Sequence, residues 1–201
     1  MTHPAARLAG RLLEVIEDDI VPLTRAGVAR GNKLFGAAIL RPDLSLALAE
    51  TNNETENPLW HGEVHALERL YEQPPEARPD PATAVFLSTH EPCSLCLSAL
   101  AWTGFRRILF LFTHADSRDS FAIPHDIRIL EEVFGTGRGG APLYRRDNEF
   151  FSARPISELI SDAPEGERGA LAARAARLRE VYAALSDTYQ AGKGGAGIPL
   201  A

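Results

Sequence analysis

The two cysteines of the chain, Cys93 and Cys96, are the feature that most constrains its fold. Pro92 suits the first turn of a helix and Gly104 suits its end, so a helix is predicted over residues 92–103. Cysteines at this spacing lie on one face of a helix, and both thiols therefore point in the same direction. The sequence begins without the apolar stretch of an export signal, so the pair indicates a metal site or a redox centre rather than a structural disulfide.

A second segment, His61-Gly62-Glu63, opens a helix predicted over residues 61–72, which a Pro-Pro pair stops. Together with the cysteines it offers one nitrogen and two sulfur ligands, a set that zinc prefers, and it leaves a fourth position for water. A helix N-terminus also favours the thiolate form that binds metal. Glu63 cannot easily share the direction of His61 toward the metal, so we expect it beside the bound water as a proton carrier.

Each of these residues has an ordinary alternative when it is considered alone. His61 could be a surface or core histidine, Glu63 a solvated helix residue, and the cysteines small buried side chains. A redox pair is the main rival, but it leaves His61 and Glu63 without a role. His65 lies one helical turn after His61, yet the acid between them is misplaced for an H-E-x-x-H zinc protease. We expect His65 to be a packed helix residue or a neighbour of the site.

Hydrophobic periodicity predicts an α/β protein with helices on both sides of one mixed sheet. The predicted order is helix 8–20, strands 35–40 and 44–49 around a turn, helix 61–72, strand 85–89, helix 92–103, strand 107–112, helix 127–134 and a tail helix over 166–190. The tail helix carries an apolar stripe that has to be buried, against the rest of the chain or against a second subunit.

The order of the motifs, H-x-E and then P-C-x-x-C, is the signature of zinc nucleobase deaminases. The segment 31–39, GNKLFGAAI, also resembles the hairpin that lines the pocket in the cytidine/deoxycytidylate deaminase superfamily. Glu91-Pro92-Cys93 and the segment 98–102 are similar to its branch of guanine deaminases and tRNA adenosine deaminases. The resemblance is good over residues 35–112, loose over 127–151 and almost absent in the tail.

This resemblance implies a cytidine-deaminase-like fold, a three-layer α/β/α sandwich around one mixed five-stranded sheet, with an extra C-terminal helix. Residues 1–155 form the predicted zinc-dependent deaminase domain, and 156–201 form a helical extension packed on the domain or on a second subunit. It further implies one Zn²⁺ per subunit, held by His61, Cys93 and Cys96, with Glu63 as the catalytic proton carrier. Members of the family commonly form dimers, so a homodimer is expected.

The resemblance also implies a set of substrate-binding residues. Asn52 matches an asparagine that holds the substrate from the second hairpin strand, with the adjacent Asn53 as the alternative. His125 and Asp126 are candidates for a substrate-binding acid, and Trp102 is equally well interpreted as a core aromatic. The complete predicted set is Asn52, Phe35, Ala37, Trp60, Glu91 and Trp102.

Two positions beside the zinc histidine depart from the family pattern. Trp60 stands where a small residue usually precedes that histidine, and Gly62 stands where alanine usually follows it. Trp60 would stack on a planar base or narrow the site. The substrate of the relatives therefore does not transfer directly to this chain.

The net charge of −6 separates the candidate functions. Binding of a polyanion depends on Lys and Arg, and this chain offers only scattered pairs such as Arg106-Arg107 and Arg145-Arg146. We therefore predict a hydrolytic deaminase that releases ammonia from a small amino-substituted nucleobase or nucleoside, with guanine or a related heterocycle favoured. A tRNA-editing adenosine deaminase is the alternative. A non-catalytic zinc-stabilised interaction protein is a third possibility, which an open fourth position disfavours.

A membrane partner is not indicated by the sequence. It has no apolar run long enough to span a bilayer, and its first residues do not resemble a signal peptide. The cytoplasm is the expected location.

Overall fold

The computed structural model describes residues 3–137 and 141–200. Within these ranges one five-stranded sheet has the order β2-β1-β3-β4-β5. Its strands are β1 Gly36–Leu40, β2 Leu46–Thr51, β3 Val85–His90, β4 Arg107–Phe112 and β5 Ser152–Pro155. Strand β1 is antiparallel to β2 and β3, while β4 is parallel to β3 and β5. The predicted mixed five-stranded sheet is confirmed.

Helices cover both faces of this sheet. They are α1 Pro4–Val15, α2 Val21–Ala29, α3 Gly62–Glu72, α4 Ser94–Trp102, α5 His114–Asp119, α6 His125–Phe134, α7 Ile156–Asp162 and α8 Glu165–Gly192. A π-helical turn over Ile16–Ile20 joins α1 to α2, and a short 3₁₀ turn, Pro75–Ala77, follows α3. In the part of the chain that the structure describes, none of the helices has the length and hydropathy needed to cross a membrane.

Two apolar cores, one on each face of the sheet, hold the three layers together. Helices α1, α2, α7 and α8 pack on one face, where Ala38 and Leu87 of the sheet meet Tyr182 of α8. Helices α3 and α4 pack on the other face, where Ala37 and Phe86 lie in the core. Successive side chains of a strand point to opposite faces, which is why Ala37 and Ala38 belong to different cores. The sandwich architecture predicted from the sequence is therefore observed.

The C-terminal helix α8 buries its apolar stripe against its own chain. Leu178, Tyr182, Leu185 and Tyr189 are all buried in the core that α1, α2 and α7 share. The predicted boundary at residues 155 and 156 falls where β5 ends and α7 begins. Helix α8 therefore lies against α1, α2 and α7 of its own chain.

The first turn of α3 lies directly on the backbone of β1. A Cβ atom placed on Gly62 would come within 2.7 Å of the Cα atom of Gly36, closer than real Cβ contacts allow. Alanine at position 62 would therefore push helix and strand apart in this chain. This contact explains why glycine stands where the family usually has alanine. It also brings the first turn of α3, with His61 and Glu63 on either side of Gly62, close to the sheet.

Candidate metal centre

His61, Cys93 and Cys96 lie together at the N-terminal ends of two helices. His61 immediately precedes α3, Cys93 immediately precedes α4, and Cys96 is in the first turn of α4. The Nδ1 atom of His61 is 3.5 Å from the Sγ atom of Cys93 and 3.7 Å from that of Cys96, and the two Sγ atoms are 3.5 Å apart. Among the described residues, these three form the group able to hold a metal ion.

The dimensions of this triangle match those of a tetrahedral zinc site. In a tetrahedral site, zinc–ligand distances of about 2.3 Å to sulfur and about 2.0 Å to nitrogen place neighbouring ligand atoms about 3.5–3.8 Å apart. The observed separations lie within a few tenths of an ångström of this range. Contact with Cys96 and His61 also holds the pKa of the Cys93 thiol well below its usual value, despite burial, which favours the thiolate that a metal requires.

Glu63 stands beside the three ligands and is 5% exposed. Its Oε1 atom accepts a hydrogen bond of 2.8 Å from the Ser88 hydroxyl on β3, and its Oε2 atom lies 3.3 Å from the Cys96 thiol. Burial raises the pKa of this carboxyl above its ordinary value. A carboxyl group held in one orientation, with a raised pKa, is suited to accepting a proton and returning it.

A cavity of about 160 Å³ opens next to His61. Phe35, one of the predicted substrate-binding residues, lines it, and so do both His125 and Asp126 from the region where the resemblance is loose. Burial raises the pKa of Asp126 to about 8, and the negative charge of Cys93 adds to the effect. The cavity thus places the carboxyl group of Asp126 close to the metal ligand His61, with apolar side chains such as Phe35 in the same lining.

Several residues of this cavity carry no motif that would identify them from the sequence. Lys33 and Glu54 line one side, and Ile198, Pro199 and Leu200 close another. Lys33 lies within the hairpin segment that resembles the family, and this position is the signal that could have found it. The tail residues have no local signal, because they reach the site only through the packing of α8.

The two candidate asparagines have different surroundings. Asn52 is fully buried; its Oδ1 atom accepts a hydrogen bond of 2.6 Å from the backbone N–H of Gly62, and its Nδ2 atom donates to Glu54 at 2.8 Å. Asn53 is half-buried and donates to Glu56 at 2.7 Å. Asn52 is therefore the one that touches the first turn of α3, next to the metal ligands.

Trp60 and His65 pack against each other. Their rings stack at 5.3 Å between centroids, and the Nδ1 atom of His65 lies 2.8 Å from the backbone oxygen of Thr51. His65 is thus a packed helix residue outside the metal-ligand group. Trp60, two residues before α3 begins, packs on that helix through this stack.

Trp102 lies far from the cavity of its own chain. It ends α4, at the opposite end from the cysteines, and a helix of this length separates its two ends by about 13 Å. Its side chain is 91% exposed, with the exposed Phe150 beside it. The alternative interpretation of Trp102 as a core aromatic is therefore wrong.

The carboxylate of Glu91, two residues before Cys93, accepts hydrogen bonds from other groups of the chain. It accepts hydrogen bonds from the Tyr144 hydroxyl at 2.8 Å, from Arg146 at 2.8 and 3.0 Å, and from the backbone N–H of His114 at 3.0 Å. Burial alone would raise the pKa of Glu91, but the bonds from Arg146 and the proximity of His114 leave it lowered. Arg146 is consequently paired within the chain rather than free for a polyanion.

Residues 20–112 match the zinc-binding region of the cytidine and deoxycytidylate deaminases, which confirms the resemblance seen in the motifs. Guanine deaminase from Bacillus subtilis is 23% identical, with a TM-score of 0.50 over 68% of this chain and 86% of that chain. Guanine deaminase from Nitrosomonas europaea is 18% identical, with a TM-score of 0.51 over 95% and 86% of the two chains. A mutant protein crystallised with 8-azaguanine is 18% identical, with a TM-score of 0.52 over 91% and 84%.

At these identities the solved structures establish a shared fold. None of the proteins with curated functions matches this sequence. The matched zinc-binding region contains both motifs and all three residues of the metal-ligand group.

Proposed function

We propose that the chain is a zinc-dependent hydrolytic deaminase that releases ammonia from an amino-substituted nucleobase, with guanine or a related free base favoured. The observation that carries this proposal is the arrangement of four side chains. His61, Cys93 and Cys96 form a triangle of zinc dimensions, and the buried Glu63 stands beside it rather than in it. A site that served only stability would be closed by a fourth protein ligand.

The proposed reaction replaces the C–NH₂ group of the base by C=O with the consumption of one water. His61, Cys93 and Cys96 would hold the zinc ion, which would supply the activation of that water. Glu63 accepts a proton from the water and passes it to a ring nitrogen, then moves the second proton of the water to the leaving amine, which departs as ammonia. The Ser88 hydroxyl keeps its carboxylate in place. Phe35 presents an aromatic ring to the base, and Asp126 offers a carboxyl group to one of its polar edges.

The size of the cavity favours a free base over larger substrates. Its volume of about 160 Å³ is below the range of about 300–1,000 Å³ found for drug-sized ligands. Ile198, Pro199 and Leu200 of the C-terminal tail also line the cavity and limit its size. The net charge of −6 and the pairing of Arg146 with Glu91 act against tRNA as well.

A screen of ammonia release tests the substrate class. The compounds are guanine, other aminopurine and aminopyrimidine bases, their nucleosides, and a tRNA that carries adenosine in its anticodon. We expect at least one free base to react with a kcat/KM value about tenfold or more above that of its nucleoside, because a cavity of about 160 Å³ would have to take the ribose as well. Reaction with the tRNA alone would instead support the editing alternative, and no reaction with any compound would support the interaction protein.

We also propose that the chain forms a homodimer. Leu95, Trp102 and Phe150 expose apolar surface on the α4 side, and Trp102 is almost uncovered. Sedimentation equilibrium should therefore give a mass of twice 21.9 kDa. Trp102→Glu should shift the mass toward one chain, whereas Tyr71→Glu, at an exposed aromatic elsewhere, should not. A wild-type mass of one chain at micromolar concentration would contradict the proposal.

A further inference from the structure

A buried ion pair lies directly behind the candidate zinc ligand His61. The Oε1 atom of Glu54 is 2.6 Å from the Nζ atom of Lys33 and 3.7 Å from the Nε2 atom of His61. The side chains of Lys33 and Glu54 are 6% and 1% exposed, so the pair is shielded from water. Neither residue is part of the H-x-E or the P-C-x-x-C motif.

The second oxygen of the same carboxylate is also held. The Oε2 atom of Glu54 accepts hydrogen bonds from the Asn52 amide at 2.8 Å and from the backbone N–H of Lys33 at 3.3 Å. The Oδ1 atom of Asn52 then accepts from the backbone N–H of Gly62, the residue after His61. Glu54 is therefore fixed in orientation, and Asn52 links it by hydrogen bonds to the backbone next to His61, the candidate zinc ligand.

The two nitrogens of His61 face different partners. Its Nδ1 atom faces the sulfur atoms of Cys93 and Cys96, and its Nε2 atom faces Glu54. When Nδ1 binds a metal, the ring proton is on Nε2, and a carboxylate on that side selects this tautomer. Metal-binding histidines are commonly oriented by such outer partners.

We propose that Glu54, held in place by Lys33, is a positioning residue that orients His61 for zinc binding. The ammonium group of Lys33 holds the buried carboxylate by an ion pair of 2.6 Å, and the carboxylate attracts the N–H group at Nε2 of His61. The Asn52 amide fixes the other oxygen, which assigns to Asn52 a part in the same network. This inference rests on the proposed role of His61 as a zinc ligand and does not depend on which base is the substrate.

Zinc affinity of the full chain tests the inference without an assay of activity. The dissociation constant is measured by competition between the metal-free protein and a chromogenic chelator, and the unfolding midpoint of the metal-free protein is recorded alongside. Three variants are compared with the wild type: Glu54→Gln, the double variant Lys33→Met/Glu54→Gln, and the control Glu50→Gln. Glu50 is a matched control because its carboxylate lies 3.4 Å from the Nδ1 atom of His65, a histidine outside the metal-ligand group.

We expect Glu54→Gln to weaken zinc binding by about 10–100-fold, the usual cost of losing an outer partner of a metal-binding histidine. The double variant leaves no unpaired buried charge, so its unfolding midpoint should recover while its zinc binding stays weak. Glu50→Gln should bind zinc within about twofold of the wild type, because its partner His65 is not a ligand.

Wild-type zinc affinity in the double variant would overturn the inference, because the pair would then serve folding alone. The inference also fails if Glu50→Gln weakens zinc binding as much as Glu54→Gln does. If Glu54→Gln does not fold, the double variant decides. A wild-type chain that binds no zinc would overturn the proposed function as well, so the two failures are distinguishable.

Discussion

Replacing Glu63 with glutamine is expected to lower the rate of ammonia release by about 10²–10⁴-fold, the usual contribution of a positioned general acid–base group. Glutamine keeps the shape of the side chain and can still accept the hydrogen bond from the Ser88 hydroxyl. It cannot take a proton from water and return it to the leaving amine. The zinc content should stay at about one per chain, because Glu63 is not one of the three ligands.

The matched control for this variant is Glu68→Gln on the same helix. Glu68 lies in α3 but does not line the cavity, so its rate should stay within about twofold of the wild type. Rates are compared with the base identified by the screen, and zinc is measured by atomic emission in each preparation. A Glu63→Gln protein with bound zinc and an unchanged rate would remove Glu63 from the mechanism.

Replacing His61 with asparagine is expected to abolish both zinc binding and activity. Without the histidine nitrogen two sulfur ligands remain, too few for a catalytic zinc site, so zinc content should fall below about a tenth per chain. His65→Asn is the matched control, since His65 lies one helical turn further along α3 and packs against Trp60 and the backbone of Thr51.

The His65→Asn protein should keep its zinc, with an effect on stability alone. Zinc content and ammonia release are measured on both variants and compared with the wild type. Equal loss of zinc in the two variants would contradict the ligand set, because only His61 lies with Cys93 and Cys96 among the described residues.

The metal-ligand group can be predicted from the sequence because the chemistry itself fixes residue types and spacing. Two cysteines on one helical face and a histidine at the start of another helix leave few ways to satisfy zinc. The main helices and strands can also be predicted from the sequence, since their apolar periodicity indicates which face is buried. These are local signals, and the structure agrees with them closely.

The ends of the helices and strands are harder to predict from the sequence, for local physical reasons. The second hairpin strand begins at Leu46 rather than at residue 44, because Leu44 has a positive φ of 73° and belongs to the turn. The prediction that the first helix stops at Ile20 is wrong, because helical structure continues to Ala29 through the π-helical turn before Pro22. Such a turn accommodates the missing N–H of proline, which periodicity does not reveal.

The surroundings of the site cannot be predicted from local patterns. Lys33, Glu54 and Ile198 meet at one cavity although Ile198 is far from the others along the chain. Strand β5 has four residues, too short for a period-2 signal, and its presence is implied only by the resemblance. At Trp102 the local pattern is misleading. An aromatic residue at helical spacing predicts a place in a pocket or in the core, whereas this side chain is exposed.

The most direct test of zinc-dependent deamination is a zinc titration of the metal-free wild-type protein, with ammonia release measured at each step. We expect a rate that starts near zero, rises in proportion to added zinc and becomes constant at one equivalent per chain, since the triangle of His61, Cys93 and Cys96 holds a single ion. A full rate in the metal-free protein would contradict the proposed dependence on zinc.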